Sequence, residues 1–94
     1  MEHQTIQTLK FKVTGRVQGV SFRYSTMLAA QKLGVCGNIK NEADGSVSGI
    51  IQGSPIQVEA MIEYLHKGPR FALVESVQIN AISPINVKTF EILV

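Results

Sequence analysis

What this 94-residue chain lacks narrows its chemistry before any pattern is sought. It has one cysteine, Cys36, so an intrachain disulfide and a multi-cysteine metal site are both excluded. That cysteine is expected to be a small hydrophobe buried in a strand. Its two histidines are His3, in a terminus expected to be loose, and His66, at the end of a helical pattern where a cation suits the helix dipole. No serine, histidine and aspartate stand in a recognisable nucleophilic arrangement, and no cluster of carboxylates points to magnesium. Neither a metal nor another cofactor is therefore expected. No apolar run approaches the roughly 18 residues of a membrane span, and residues 1–8 are polar where a signal peptide needs an apolar core. These absences predict a cytoplasmic protein with no membrane partner. A net charge of +2 is too small to mark a nucleic-acid surface.

What is present describes one domain, 45% apolar and 17% charged, with room for a modest core and no second unit. Leu9, Phe11 and Val13 alternate with Lys10, Lys12 and Thr14, the period of a strand with one dry and one wet face. Phe22, Thr26, Ala29, Ala30 and Leu33 share one side of a helix over residues 22–33, with Ser21 as its expected N-cap and Gly34 at its stop. Residues 35–41 and 47–52 form two strands joined at Asp44-Gly45, a hairpin pair. Ser54 and Pro55 open a second helix carrying Val58, Met61, Ile62 and Leu65 at helical spacing, with Glu63 in reach of Lys67 one turn on. Gly68-Pro69 ends it. Val77, Ile79 and Ala81 mark a fourth strand, and Phe90, Ile92 and Val94 a fifth.

The order strand, helix, strand, strand, helix, strand is buried most simply as an α+β sandwich. Two helices then lie on one face of an antiparallel sheet in the split βαββαβ arrangement, with a C-terminal edge strand.

The stretch Gly15-Arg16-Val17-Gln18-Gly19-Val20-Ser21-Phe22-Arg23 joins the first strand to the first helix. Its two glycines let the backbone approach a ligand, and the helix that follows offers unpaired N–H groups at its positive end. Arg23 brings a planar fork of donors to the first helical turn, where the dipole disfavours a cation unless an anion is bound. Most glycine-containing strand-to-helix loops bind nothing. Here Arg16 and Arg23 bracket the loop in a chain with only three arginines, which favours an anion site; Arg16 serves equally well as a solvated loop charge. Asn41 stands at the tip of the second strand, a common place for a turn-initiating asparagine.

These residues, with Gly37 through Asn41, Gly45, Val47, Gly53, Gly68-Pro69-Arg70, Val77 and the Phe90-x-Ile92 ending, resemble the acylphosphatase family over residues 9–94. The resemblance implies a ferredoxin-like fold and metal-independent hydrolysis of acyl phosphates to a carboxylate and phosphate. Carried over by position, it makes Arg23 the phosphoryl-binding side chain and Asn41 the residue that orients the attacking water. The backbone N–H groups of Gln18, Gly19, Val20, Ser21 and Phe22 become the rest of the cradle. Two positions depart from the family pattern: Ser21 stands where a glycine or a large side chain is expected, and Asn38 where an aromatic is expected.

The implied partners are a small acyl phosphate as substrate and inorganic phosphate or sulfate as product or inhibitor. The protein is expected to be a monomer that binds no nucleic acid. Two other readings share the topology: an RNA-recognition module, for which Phe11 is the sole stacking candidate, and an anion-sensing domain without chemistry.

Overall fold

A strand forms wherever apolar side chains recur at every second residue, and the longest such run here is β1 (Gln7–Arg16), which the rest of the sheet flanks. In the computed structural model, which describes residues 5–94, it is followed by α1 (Phe22–Leu33), β2 (Cys36–Asn41), β3 (Val47–Gly53), α2 (Pro55–Lys67), β4 (Leu73–Ala81) and β5 (Phe90–Ile92). His3 lies outside the described residues. The sheet order is β4-β1-β3-β2-β5, so β3 sits between β1 and β2, as the split arrangement requires.

The register places Phe11 opposite Gly49 and Val13 opposite Val47, and on the other side Ile39 opposite Gly49. Phe11, Val13, Ile39, Val47 and Ile51 thus share the face that Phe22, Ala30, Val58, Met61 and Leu65 of the helices cover, and all are essentially removed from solvent. The opposite face carries Lys10, Lys12, Ser48 and Gln78. Phe11 is 1% exposed and is spent on the core, so this ring is not open to base stacking.

Helix α2 begins as its sequence predicts. The Ser54 hydroxyl accepts from Gln57 N–H at 3.2 Å while the Gln57 side chain accepts from Ser54 N–H at 2.9 Å, a reciprocal capping box ahead of Pro55. Helix α1 stops at Gly34, whose N–H reaches Gln31 O at 3.3 Å.

Several expectations are corrected. The sheet is mixed, because β5 joins β2 in parallel, with Gly37 opposite Phe90 and Ile39 opposite Ile92. The reason is topological: the chain leaves β4 at the end of the sheet where β1 begins. It crosses there through residues 82–89 and must enter β5 from the same end at which β2 starts. The buried Gln52 holds this crossing, accepting from Ile85 N–H at 2.8 Å and donating to Ile85 O at 3.0 Å. β5 spans three residues, so Val94 lies beyond it and is fully exposed. Cys36 is only half-buried, its thiol donating to Gln52 O at 3.4 Å. Glu63 and Lys67 do not pair; among the described residues the ion pairs are Lys12–Asp44 and Lys40–Glu42. No helix among the described residues is long and apolar enough to cross a membrane.

Candidate active site

Strand directions bring the C-terminal ends of β1, β2 and β5 to one end of the sheet. The turn that follows β1 is shaped by its backbone. At Gly15 the β1–β4 register shifts and φ reaches 125°, and a Cβ there would run into the carbonyl oxygen of Leu73, so only glycine lets the two strands close at this point. Gly19 has φ 77° and open space where a side chain would stand.

Ser21 adopts φ 62° and ψ 25°, the left-handed region that a residue with a Cβ rarely visits. This corrects the capping expectation. An N-cap side chain accepts from the helix when its own backbone is extended, and with Ser21 turned left-handed its hydroxyl makes no cap bond. The first turn closes instead through Ser25 N–H to Ser21 O at 3.0 Å. Among the described residues, no N–H from Gly19 to Tyr24 has a protein acceptor. A run of unpaired donors at a helix start is a ready place for an anion.

These groups bound a cavity of about 190 Å³ whose walls include Gly19, Ser21, Phe22, Arg23 and, from the end of β2, Asn41. Arg23 is half-buried and, among the described residues, pairs with no carboxylate; Asn41 is exposed and its amide makes no hydrogen bond to another described residue. Two side chains with strong polar termini and no partner thus face one small hollow lined by free N–H groups. The side chains of the other candidate residues do not line the cavity, so what Gln18 and Val20 offer toward it is their main-chain N–H. Val20 packs, partly buried, against the core. Arg16 is exposed at the end of β1, opposite Leu73, and is not part of the cavity wall. The Gln18 side chain is also outside the wall, being occupied elsewhere.

That occupation is what reading the sequence missed. Gln18 Nε2 donates to Glu42 O at 2.8 Å and to Ser46 O at 2.9 Å, tying the loop after β1 to the hairpin that Asn41 opens. The hairpin is braced from within. Glu42 N–H reaches Ser46 O at 2.8 Å, and Asp44 Oδ1 accepts from Ser46 N–H at 2.9 Å and from its hydroxyl at 2.6 Å. The Ser48 hydroxyl bonds the Glu42 carboxylate. Lys12 Nζ lies 2.8 Å from Asp44 Oδ2. The Lys12 ammonium, then the Ser46 hydroxyl and N–H, hold the Asp44 carboxyl well below the usual carboxylate range, and Asp44 in turn raises the Lys12 pKa. Tyr24 and Ile92 were likewise not foreseen as walls of the cavity.

Among the described residues, no group of three or more His, Cys, Asp and Glu gathers where a cation could sit. A larger hollow of about 530 Å³ lies on the open sheet face between Lys10, Lys12, Gln78 and Asn80; it contains neither Arg23 nor Asn41.

Residues 9–92 match the family model described as Acylphosphatase. A protein named acylphosphatase from Thermococcus kodakarensis is 42% identical over 81 residues, covering 86% of this chain and 89% of its own length. Another so named, from Nocardioides sp., is 51% identical over 67 residues, covering 71% and 68%. Among solved structures, an acylphosphatase from Coxiella burnetii superposes with a TM-score of 0.93 at 28% identity, covering 99% of this chain and all of that one.

Proposed function

The chain belongs to the acylphosphatase family, and we propose that it hydrolyses acyl phosphates to a carboxylate and inorganic phosphate at the cavity between α1 and the tip of β2. The phosphoryl oxygens are held by the Arg23 guanidinium and by the main-chain N–H groups of residues 18–22, and Asn41 holds the attacking water. The observation that carries this reading is the convergence of Arg23 and Asn41, neither engaged by another described residue, on a hollow edged by N–H groups without acceptors.

The chemistry asks little of the protein beyond position and charge. Water oxygen bonds to phosphorus, the bond from phosphorus to the acyl oxygen breaks, and its electron pair leaves on the carboxylate. An acyl phosphate dianion and water become a carboxylate and dihydrogen phosphate, with both water protons retained on phosphate. The leaving carboxylate has a conjugate acid of pKa about 4 by analogy with side-chain carboxyls, so no general acid is needed. Asn41 has no basic site at neutral pH, so it orients the water and the proton moves to a phosphoryl oxygen. Preorganised donors stabilise charge on the equatorial oxygens as the bond to the leaving group lengthens. A metal has no required part in these steps.

The test is phosphate release from acetyl phosphate with a chelator present, run in oxygen-18 water. The reading expects turnover undiminished by the chelator and the label in phosphate. Label in acetate places attack at the carbonyl and overturns the mechanism. Phosphate binding without release makes the protein an anion sensor.

A further inference from the structure

Ser21 stands apart from every other non-glycine residue described: it alone has a positive φ, at the entrance to α1. That backbone costs a residue with a Cβ stability that a glycine would keep. Such strain persists where the surrounding structure enforces it, and it gathers at ligand sites.

The usual return for a serine at a helix start, a bond from the N–H two or three residues on to its hydroxyl, is absent here. The Ser21 carbonyl oxygen is spent on Ser25 N–H at 3.0 Å, but its hydroxyl and its N–H bond no other described residue. The hydroxyls of Ser46, Ser48, Ser54 and Ser76, by contrast, are engaged within the protein. Ser21 is also a wall of the cavity, with Arg23 from α1 and Asn41 from β2. Three residues whose polar side chains have no partner among the described residues therefore border one small hollow, and Arg23 and Asn41 already have a part in hydrolysis. The position departs from the family resemblance as well, which puts a glycine or a large side chain here. A glycine would relieve the backbone and bring no side-chain donor; a serine keeps the strain and brings one.

We infer that the Ser21 hydroxyl donates a hydrogen bond to a phosphoryl oxygen of the bound substrate, a side-chain contact added to that of Arg23. This rests on the hydrolytic reading above and adds a residue to its phosphate cradle. A phosphoryl group carries three strong acceptor oxygens, so lone pairs remain for a hydroxyl after the guanidinium and the main-chain donors are served. A hydroxyl on those oxygens holds the phosphoryl group before, during and after the bond breaks, so its contribution shows in binding more than in kcat.

The experiment measures phosphate affinity by calorimetry, kcat and KM for acetyl phosphate, and the urea midpoint, in the wild type, Ser21→Ala and Ser21→Gly. Alanine removes the hydroxyl and keeps the Cβ; glycine removes the hydroxyl and suits the left-handed backbone. Both should bind phosphate about three- to tenfold more weakly, the share of one net hydrogen bond. KM should rise by a similar factor and kcat should change less than about twofold. The urea midpoint shows that each variant is folded. Wild-type affinity and KM in both variants overturn the contact. So does a loss confined to one variant, since both lack the hydroxyl. If the wild type binds phosphate but releases none from acetyl phosphate, the hydrolytic reading falls, and the affinities of the variants still decide the contact. A wild type that binds no phosphate overturns both.

Discussion

Replacing Gln18 with alanine removes both hydrogen bonds that tie the loop after β1 to the β2–β3 hairpin, at Glu42 O and Ser46 O. Each bond contributes about 0.5–1.5 kcal/mol net, so the variant should lose about 1–3 kcal/mol of stability, read from the urea midpoint. The larger effect is expected in turnover. Arg23 and the free N–H groups belong to the loop and helix, whereas Asn41 belongs to β2. Gln18 is a side-chain link between the two bodies that must hold phosphate and water in line. A displacement near 1 Å of one reacting partner costs up to about a hundredfold in rate, so kcat should fall roughly ten- to a hundredfold. Phosphate affinity, which depends on the loop and helix alone, should change less than about threefold on the same argument. Gln18→Glu should do worse than alanine at neutral pH, because an ionised carboxylate has no donor and faces two carbonyl oxygens. Urea titration, phosphate binding and single-turnover hydrolysis on the same preparations give the three readouts. A loss of stability with kcat intact would refute the reasoning, since the hairpin would then hold Asn41 unaided.

Arg23→Ala deletes a charged donor to the phosphoryl group and should cost at least about 2.7–4 kcal/mol in transition-state stabilisation, about a hundred- to a thousandfold in kcat/KM, with the circular dichroism spectrum unchanged. Asn41→Ala should reduce turnover more than phosphate affinity; the reverse pattern in single-turnover and binding measurements would remove its water-orienting role. Asp44 has a folded pKa depressed by Lys12 and then Ser46, so it stabilises the hairpin above its unfolded value, near 4, and loses that contribution as the pH falls below it. Asp44→Asn should therefore lower the urea midpoint slightly at pH 7, as befits an exposed ion pair, and the gap from wild type should narrow as the pH drops below about 4; a gap constant across pH would contradict the assignment.

The elements were legible wherever local chemistry decides them. The alternation of Leu9, Phe11 and Val13 marks β1, and Ser54 with Pro55 marks the start of α2, where local chemistry needs no tertiary partner. Arg23 stood out because a cation in the first turn of a helix conflicts with the dipole. Asn41 was singled out by resemblance to a family, since an asparagine before a hairpin is otherwise unremarkable. What stayed hidden depends on distance in sequence. Gln18 meets partners 24 and 28 residues away, and a polar residue in a loop carries no local sign of such a pairing. Ile92 reaches the cavity because the chain crosses at the end of the sheet where β1 begins and returns in parallel, a path held by Gln52 and Ile85 from 33 residues apart. Ser21 was expected to cap because serine usually does; the tight turn from Gly19 into α1 set its backbone left-handed instead, and left the donors free.

The central claim is that one anion bridges the Arg23 guanidinium and the unpaired N–H groups at the start of α1. Titration of the isotopically labelled protein with inorganic phosphate, followed by amide proton and nitrogen shifts, tests it most directly. Saturable downfield shifts should concentrate on the amides of Gly19 through Arg23 and vanish in Arg23→Ala. Shifts that fall instead on Lys10, Lys12 and their neighbours across the open sheet face, or that persist without Arg23, would contradict the account.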